Sequence, residues 1–227
     1  MKTVINIVLT LCVVGLIYAC YASIMGPINF RNAKDMRDKA VVARLIDIRK
    51  AQVEFRNLNG HYTADFDSLI TFVKTAKLPF VKKVGTLTDA QLESGMTEKK
   101  AMALIAKAKK SGNWKDVEKE GLSGFSRDTM WVPVADTLYA PGFIADSMKY
   151  VPFTNGATFE MAARNDTTAQ GMPLHLFQAQ VPYNVYLNGL NHQEILNLND
   201  LQTKLGKYCG LRVGDIEQPN NNAGNWE

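Results

Sequence analysis

Residues 44–73, "RLIDIRKAQVEFRNLNGHYTADFDSLITFV", decide the architecture. Through this stretch and just ahead of it, Val41, Leu45, Ile48, Ala51, Phe55 and Leu58 step by 4, 3, 3, 4 and 3 residues, which puts them on one helical face. Lys50, Glu54 and Asn57 sit opposite, and Val42, Ile46 and Val53 draw a second apolar line on a flank. A helix apolar on two flanks crosses a domain core or packs on both its own domain and a neighbour. Asn59-Gly60 then ends it, because glycine enters the left-handed region without a Cβ clash. Asp65 or Asp67 can cap a short helix carrying Phe66, Leu69, Ile70 and Val73. The spacing predicts a long helix, a tight turn and a short helix folded back on it.

Toward the N-terminus, Val4 to Met25 form a run of 22 residues without a charge. At a rise of about 1.5 Å per residue, such a run covers a hydrocarbon core of roughly 30 Å. A retained single-pass anchor fits best, since a signal-peptide core is shorter, about 7–15 residues. Ile17-Tyr18-Ala19-Cys20 resembles a lipobox, which makes Cys20 a candidate lipidation site, and a cleaved signal ending at Ala22 is a third reading. Gly26-Pro27 predicts a kink or short break before helix resumes near Phe30.

Orientation receives two opposed signals. Arg31, Lys34, Arg37 and Lys39 follow the run, and the positive-inside rule would hold them in the cytoplasm. Against this stand five triplets of Asp, a hydroxyl residue and a methyl-bearing residue, with hydroxyls at Ser68, Thr129, Thr137, Ser147 and Thr167. They resemble the O-glycosylation acceptor used on extracytoplasmic proteins of the Bacteroidota. With 13 Asp and 22 Ser plus Thr in 227 residues, chance gives fewer than one such triplet. Asp-Ser and Asp-Thr also make good turns and caps, which explains single cases better than five. The triplets favour export.

The chain length allows one or two domains with a sizeable core. A net charge of +4 is too mild to argue for nucleic acid. Cys12 and Cys20 lie in the apolar run, and Cys209 stands alone in the rest, so no internal disulfide is implied there. Residues 84–124 read as a helical insertion, with starts at Thr88-Asp89 and Thr97-Glu98 and stops at Gly112 and Gly121. Its central helix turns Ala101, Leu104, Ile105 and Ala108 to one face and is otherwise rich in lysine. From Thr129 onward, "TMWVPVADTLY", "MKYVPFT", "ATFEMAA", "HLFQAQVPYNVYLN" and "GLRVGDIE" read as strands, with Pro133, Pro152 and Pro182 at edges or ends. Asn220 to Asn225 form a polar tail, which is either free or docked by Trp226.

A kinked apolar helix running into an amphipathic one resembles the type IV pilin and pseudopilin family. Leu45, Ile48, Ala51, Phe55, Asn59, Gly60, Tyr62 and Leu69 match the end of the long helix and the turn of major pseudopilins. The resemblance covers about the first 75 residues and implies a subunit of an envelope or secretion assembly. Two departures qualify it. No Gly precedes Val4, and Asn6 stands near the start of the run, where the family has a cleavage-site Gly and an early Glu. Pilin-like architecture is implied; polymerisation is not.

Chemistry is sparse. His61, His175 and His192 lack a second ligand at metal spacing. Gly121-Leu122-Ser123-Gly124-Phe125 misses the nucleophile elbow at its last position, and no Gly-rich loop ends in Lys-Ser or Lys-Thr. The expectation is therefore α+β: an anchor at 1–29, long and short helices at 30–83, the insertion at 84–124 and a β-rich domain with polar tail at 125–227. The long helix would pack on an antiparallel C-terminal sheet. In function this predicts a non-enzymatic inner-membrane protein with its C-terminal domain in the periplasm, partnered by the membrane and other envelope proteins. No cofactor, metal, nucleic acid or small-molecule substrate is implied. A lipoprotein binding module held through Cys20 and an unrecognised envelope enzyme are the alternatives.

Overall fold

A computed structural model describes residues 2–168 and 171–227. The first helix, α1, runs unbroken from Lys2 to Asn59, 58 residues. Of the kink or break expected at Gly26-Pro27, the break is absent: Pro27 lies inside the helix, although it has no N–H to donate to the carbonyl of Ser23. Gly60 closes α1 at positive φ, and its N–H donates to the Arg56 carbonyl. The short helix α2 follows at Phe66–Thr75, burying Leu69, Ile70, Phe72 and Val73. Asp65 is the residue that serves its N-terminus, accepting from the backbone N–H of Asp67 and of Ser68.

The chain divides into two compact units. The first comprises residues 1–74 and 138–227, the second residues 75–137. The inserted unit is thus larger than the sequence suggested, because it carries its own two-stranded sheet. Strands β1 (Lys77–Val84) and β2 (Ser126–Pro133) pair antiparallel from Lys77↔Pro133 to Val84↔Ser126. Between them lie α3 (Asp89–Glu93), α4 (Glu98–Ser111) and α5 (Lys115–Lys119). Thr88 and Thr97 cap α3 and α4 as expected, and α4 stops at a left-handed Gly112. A small core of Ala101, Ala108, Val117, Leu122 and Phe125 holds the unit, with Leu104 and Ile105 packed on its rim. The Arg127 guanidinium stacks on Phe125 at 4.0 Å and bridges the carbonyls of Val84 and Gly85 to the carboxylate of Glu98. A short α6 (Val134–Leu138) follows β2.

In the first unit, β3 (Glu160–Thr167), β4 (Pro173–Pro182) and β5 (Gly210–Gly214) form an antiparallel sheet in the order β3-β4-β5. Alternation along β4 turns Phe177, Ala179 and Val181 to one face, and the register adds Val213 and Leu211 of β5 beside Ala179 and Val181. This face meets α1, whose Val41, Leu45, Ile48 and Ala51 are fully buried. Gln178 and Gln180 occupy the opposite face. At Gly214 the sheet and the chain come so close that a Cβ would lie 2.1 Å from the Phe177 carbonyl oxygen. The long helix therefore packs on an antiparallel sheet, as the periodicity predicted, though the covered face thins at its end. Phe55 is half-buried, edge-on to Phe72 at 5.1 Å, and Leu58 is exposed.

Two expectations in the C-terminal half change, and the open choice for the tail is decided. "MKYVPFT" is no strand: its first residues end a 3-10 turn at Ala145–Lys149, and Phe153 takes φ 61°, which reverses the chain. Tyr150 keeps only a single bridge, to Thr158. The region after β4 is helical, with α7 (Tyr183–Tyr186) and α8 (His192–Lys204), the latter capped by the Asn191 side chain. The polar tail is docked, since Gly214 N–H donates to the Ala223 carbonyl and Asn225 N–H to that of Arg212.

Candidate functional site

The feature with the clearest functional demand is α1 itself. It is one helix long and apolar enough to cross a membrane, and the apolar window is wholly uncovered by the rest of the chain. Ile5, Leu9, Leu16, Tyr18 and Ile24 are each 63–72% exposed, and Ile7 and Val8 point to other sides of the same helix. In water, each such Ile or Leu forgoes about 1.5–3 kcal/mol relative to burial. An apolar surrounding would recover this.

Half-burial first appears at Met25 and Gly26 and continues through Phe30, Ala33, Lys34, Arg37 and Asp38 to the fully buried Val41. That list steps at helical spacing, so a single stripe of α1 is enclosed. A polar cluster fixes it. The Tyr186 hydroxyl, on a fully buried ring, donates to Asp38 at 2.7 Å, and Lys34 pairs with the same carboxylate one turn back. Arg37 donates to the backbone carbonyls of Tyr186 (2.8 Å) and Asn188 (2.9 Å). Burial first, and then the Asp38 charge, push the Tyr186 phenol far above its ordinary pKa, so it stays a donor. Further up, Tyr139 donates to the Asp47 carbonyl at 2.8 Å. Gln52, fully buried, closes the turn from α1 to α2: its amide donates to the Thr63 carbonyl and accepts from the Thr63 N–H. Periodicity picked out the apolar stripe, but no signal in the sequence marked Gln52 or the Tyr186–Asp38 pair.

The five triplets fall in varied settings. Ser68 is exposed in the first turn of α2, where its hydroxyl donates to Asp65; Thr129 is exposed on β2 and Thr167 on β3. Thr137 is exposed on α6, bonded to the Pro133 carbonyl. Ser147 is half-buried, donating to the Ile144 carbonyl and accepting from Arg44 at 2.6 Å. Four of the five residues are thus exposed, and the hydroxyls of Ser68, Thr137 and Ser147 are engaged in hydrogen bonds. Cys20 is exposed, mid-helix, with helix continuing beyond it.

Among the described residues no three His, Cys, Asp or Glu side chains gather where a metal could be held. His175 bonds to Asn165, and His61 to the Asn59 carbonyl. Cys209 lies 3.3 Å from the Thr203 hydroxyl, which is no general base. No family model matches the chain, and no curated protein or solved structure matches it either.

Proposed function

We propose that this chain is a non-enzymatic, single-pass inner-membrane protein whose residues from about 30 onward stand in the periplasm. There it would serve as a pilin-like structural or assembly subunit of an envelope or secretion complex. The observation that carries this is the continuity of α1. A binding module on a tether usually follows a flexible linker, which leaves its orientation free. Here one helix passes from exposed apolar surface to the centre of a folded core, so the head is held at a set height and angle to the anchor. Rigid presentation suits a subunit that must meet neighbours in one geometry.

Export is supported by the four triplets whose hydroxyl residue is exposed. The opposing cations have a second explanation, because Lys34 and Arg37 are used in folding the head onto α1. Protease added to spheroplasts should digest residues 30–227; protection that is lost only on lysis would place them in the cytoplasm. Inserting Gly-Ser-Gly-Ser after Pro27 should leave membrane association intact and abolish recovery in a detergent-extracted complex. Unchanged recovery would point to a tethered module instead.

A further inference from the structure

The underside of the head carries apolar surface that its core does not need. On α8, Ile195 is buried and Gln202 half-buried, which sets the face turned to the core. Leu198, Leu201 and Leu205 step by 3 and 4 along one flank. Leu198 is half-buried, whereas Leu201 and Leu205 are 52% and 58% exposed. This flank faces α1: Glu194, Asn197, Leu198 and Leu201 line an open groove whose other wall is Pro27, Phe30, Arg31, Lys34 and Asp35.

The height of that groove is set by α1. At about 1.5 Å per residue, Pro27 to Lys34 lie roughly 3–14 Å along the axis from Met25, where the apolar run ends. The headgroup layer on each side of a bilayer is about 5–7 Å deep, given a total of roughly 40–45 Å and a core of roughly 30 Å. On α1 the groove wall begins at Pro27, two residues past Met25, so the head reaches down to within about 3 Å of the end of the span. No room for a thick water layer is left beneath α8.

We propose that α8 rests on the bilayer beside the span, with Leu201 and Leu205 entering the boundary between headgroups and acyl chains. This rests on the anchor reading above. Leucines at that boundary gain apolar burial, and Arg31, which lines the same groove, can meet lipid phosphates. The contact gives the head a second foothold, which resists tilting and spinning about α1. An occupant made of protein would need a matching surface; the bilayer is already present wherever α1 is inserted.

Collision accessibility of spin labels tests it in the full chain, with Cys12, Cys20 and Cys209 changed to Ser and the protein reconstituted in phosphatidylcholine–phosphatidylglycerol vesicles. Single labels are placed through Leu16→Cys, Leu196→Cys, Leu201→Cys and Leu205→Cys. Lipid-soluble oxygen should relax the labels at 201 and 205 more than a water-soluble nickel chelate does. At 196, on the opposite flank, the order should reverse. The label at 201 decides, since that residue lines the groove. Nickel dominance there, with oxygen dominance at 16, overturns the α8 contact and leaves the anchor standing. Exclusion of both reagents at 201 means a second copy or another protein covers α8, and also overturns it. Nickel dominance at 16 defeats the anchor reading itself.

Discussion

The unit built on α1 and the unit formed by residues 75–137 reach their cores by opposite routes. In the first, contacts join residues far apart in sequence: Arg37 to Tyr186, Tyr139 to Asp47, Tyr62 to Asn222. Its buried side chains are large, including Tyr186, Phe177, Leu45 and Ile48. In the second, the ordering is local. Thr88 and Gln91 form a reciprocal cap, Thr97 caps the next helix, and two of the five core residues are alanines. A unit of about 60 residues buries little of its surface, so local caps must contribute where a core cannot. The first unit should therefore fail as a whole, and the second should open on its own.

Alkali should break the comparison most visibly. Burial holds the phenols of Tyr139 and Tyr186 far above their ordinary pKa and raises that of Tyr208 to about 12. Raised folded-state values mean that this stability is complete below about pH 10, the unfolded value, and is lost as pH climbs through the folded values. Residues 75–137 contain no tyrosine and lack this liability. The tyrosinate absorbance of Tyr139, Tyr186 and Tyr208 should appear late and together with loss of the first unit's near-ultraviolet signal. Titration of Tyr139, Tyr186 and Tyr208 near 10 with the fold intact would contradict it.

Core truncations come next. Ile48→Ala removes a fully buried side chain from the α1 face and should cost about 4 kcal/mol, within the usual range for such deletions. Denaturation of the full chain in detergent should show one cooperative transition moved to lower denaturant. Phe125→Ala should cost about 3 kcal/mol, which is enough to unfold a unit this small. Amide exchange should then accelerate through residues 89–122 while residues 41–52 stay protected. Acceleration in both segments would mean that the two units fold as one.

What the sequence disclosed follows the same division. Local signals were readable: the stripe Val41–Ala51, the reversal at Gly60, the caps at Thr88 and Thr97 and the stop at Gly112 each need only a few neighbouring residues. Strand β1 was missed because "KLPFVKKV" has no clean alternation; its apolar Phe80 and Val81 are both exposed in a two-stranded sheet. "MKYVPFT" was misread because β-rich composition does not reveal the left-handed turn at Phe153. Helix α8 hid among asparagines, although Ile195, Leu198 and Leu201 had the right spacing. Most of the enclosed polar cluster was illegible in principle. Asp38 acquires its role from Tyr186, 148 residues away.

Gln52 sharpens that point at lower cost. Gln52→Leu keeps the volume but strands the N–H and carbonyl of Thr63, and should destabilise the first unit by about 2 kcal/mol. Gln52→Glu, as the neutral acid, would restore both bonds and should recover part of the loss at low pH, losing it again as the carboxyl ionises against the Thr63 carbonyl. A neutral outcome for Gln52→Leu in thermal denaturation would show that water satisfies Thr63 instead.

The smallest effect belongs to the tail, where the first unit behaves locally. Glu227 accepts from Arg49 at 2.6 Å, and that bond, with the guanidinium charge, holds its carboxyl below the ordinary glutamate value. A depressed folded-state value places the contribution above the unfolded pKa of about 4.3 and removes it as pH falls through the folded value. The pair is exposed, so salt and water weaken it, and the global transition should hardly move. The amides of Gly214 and Asn225, which bond across the tail to Ala223 and Arg212, are the sensitive reporters. Glu227→Gln at neutral pH should speed their exchange, corrected for intrinsic rates, as acidification does in the parent chain. If these amides keep parent rates, Asn222 on Tyr62 and Asn225 on the Gly210 carbonyl suffice to hold the tail, and Arg49 is free to serve another contact.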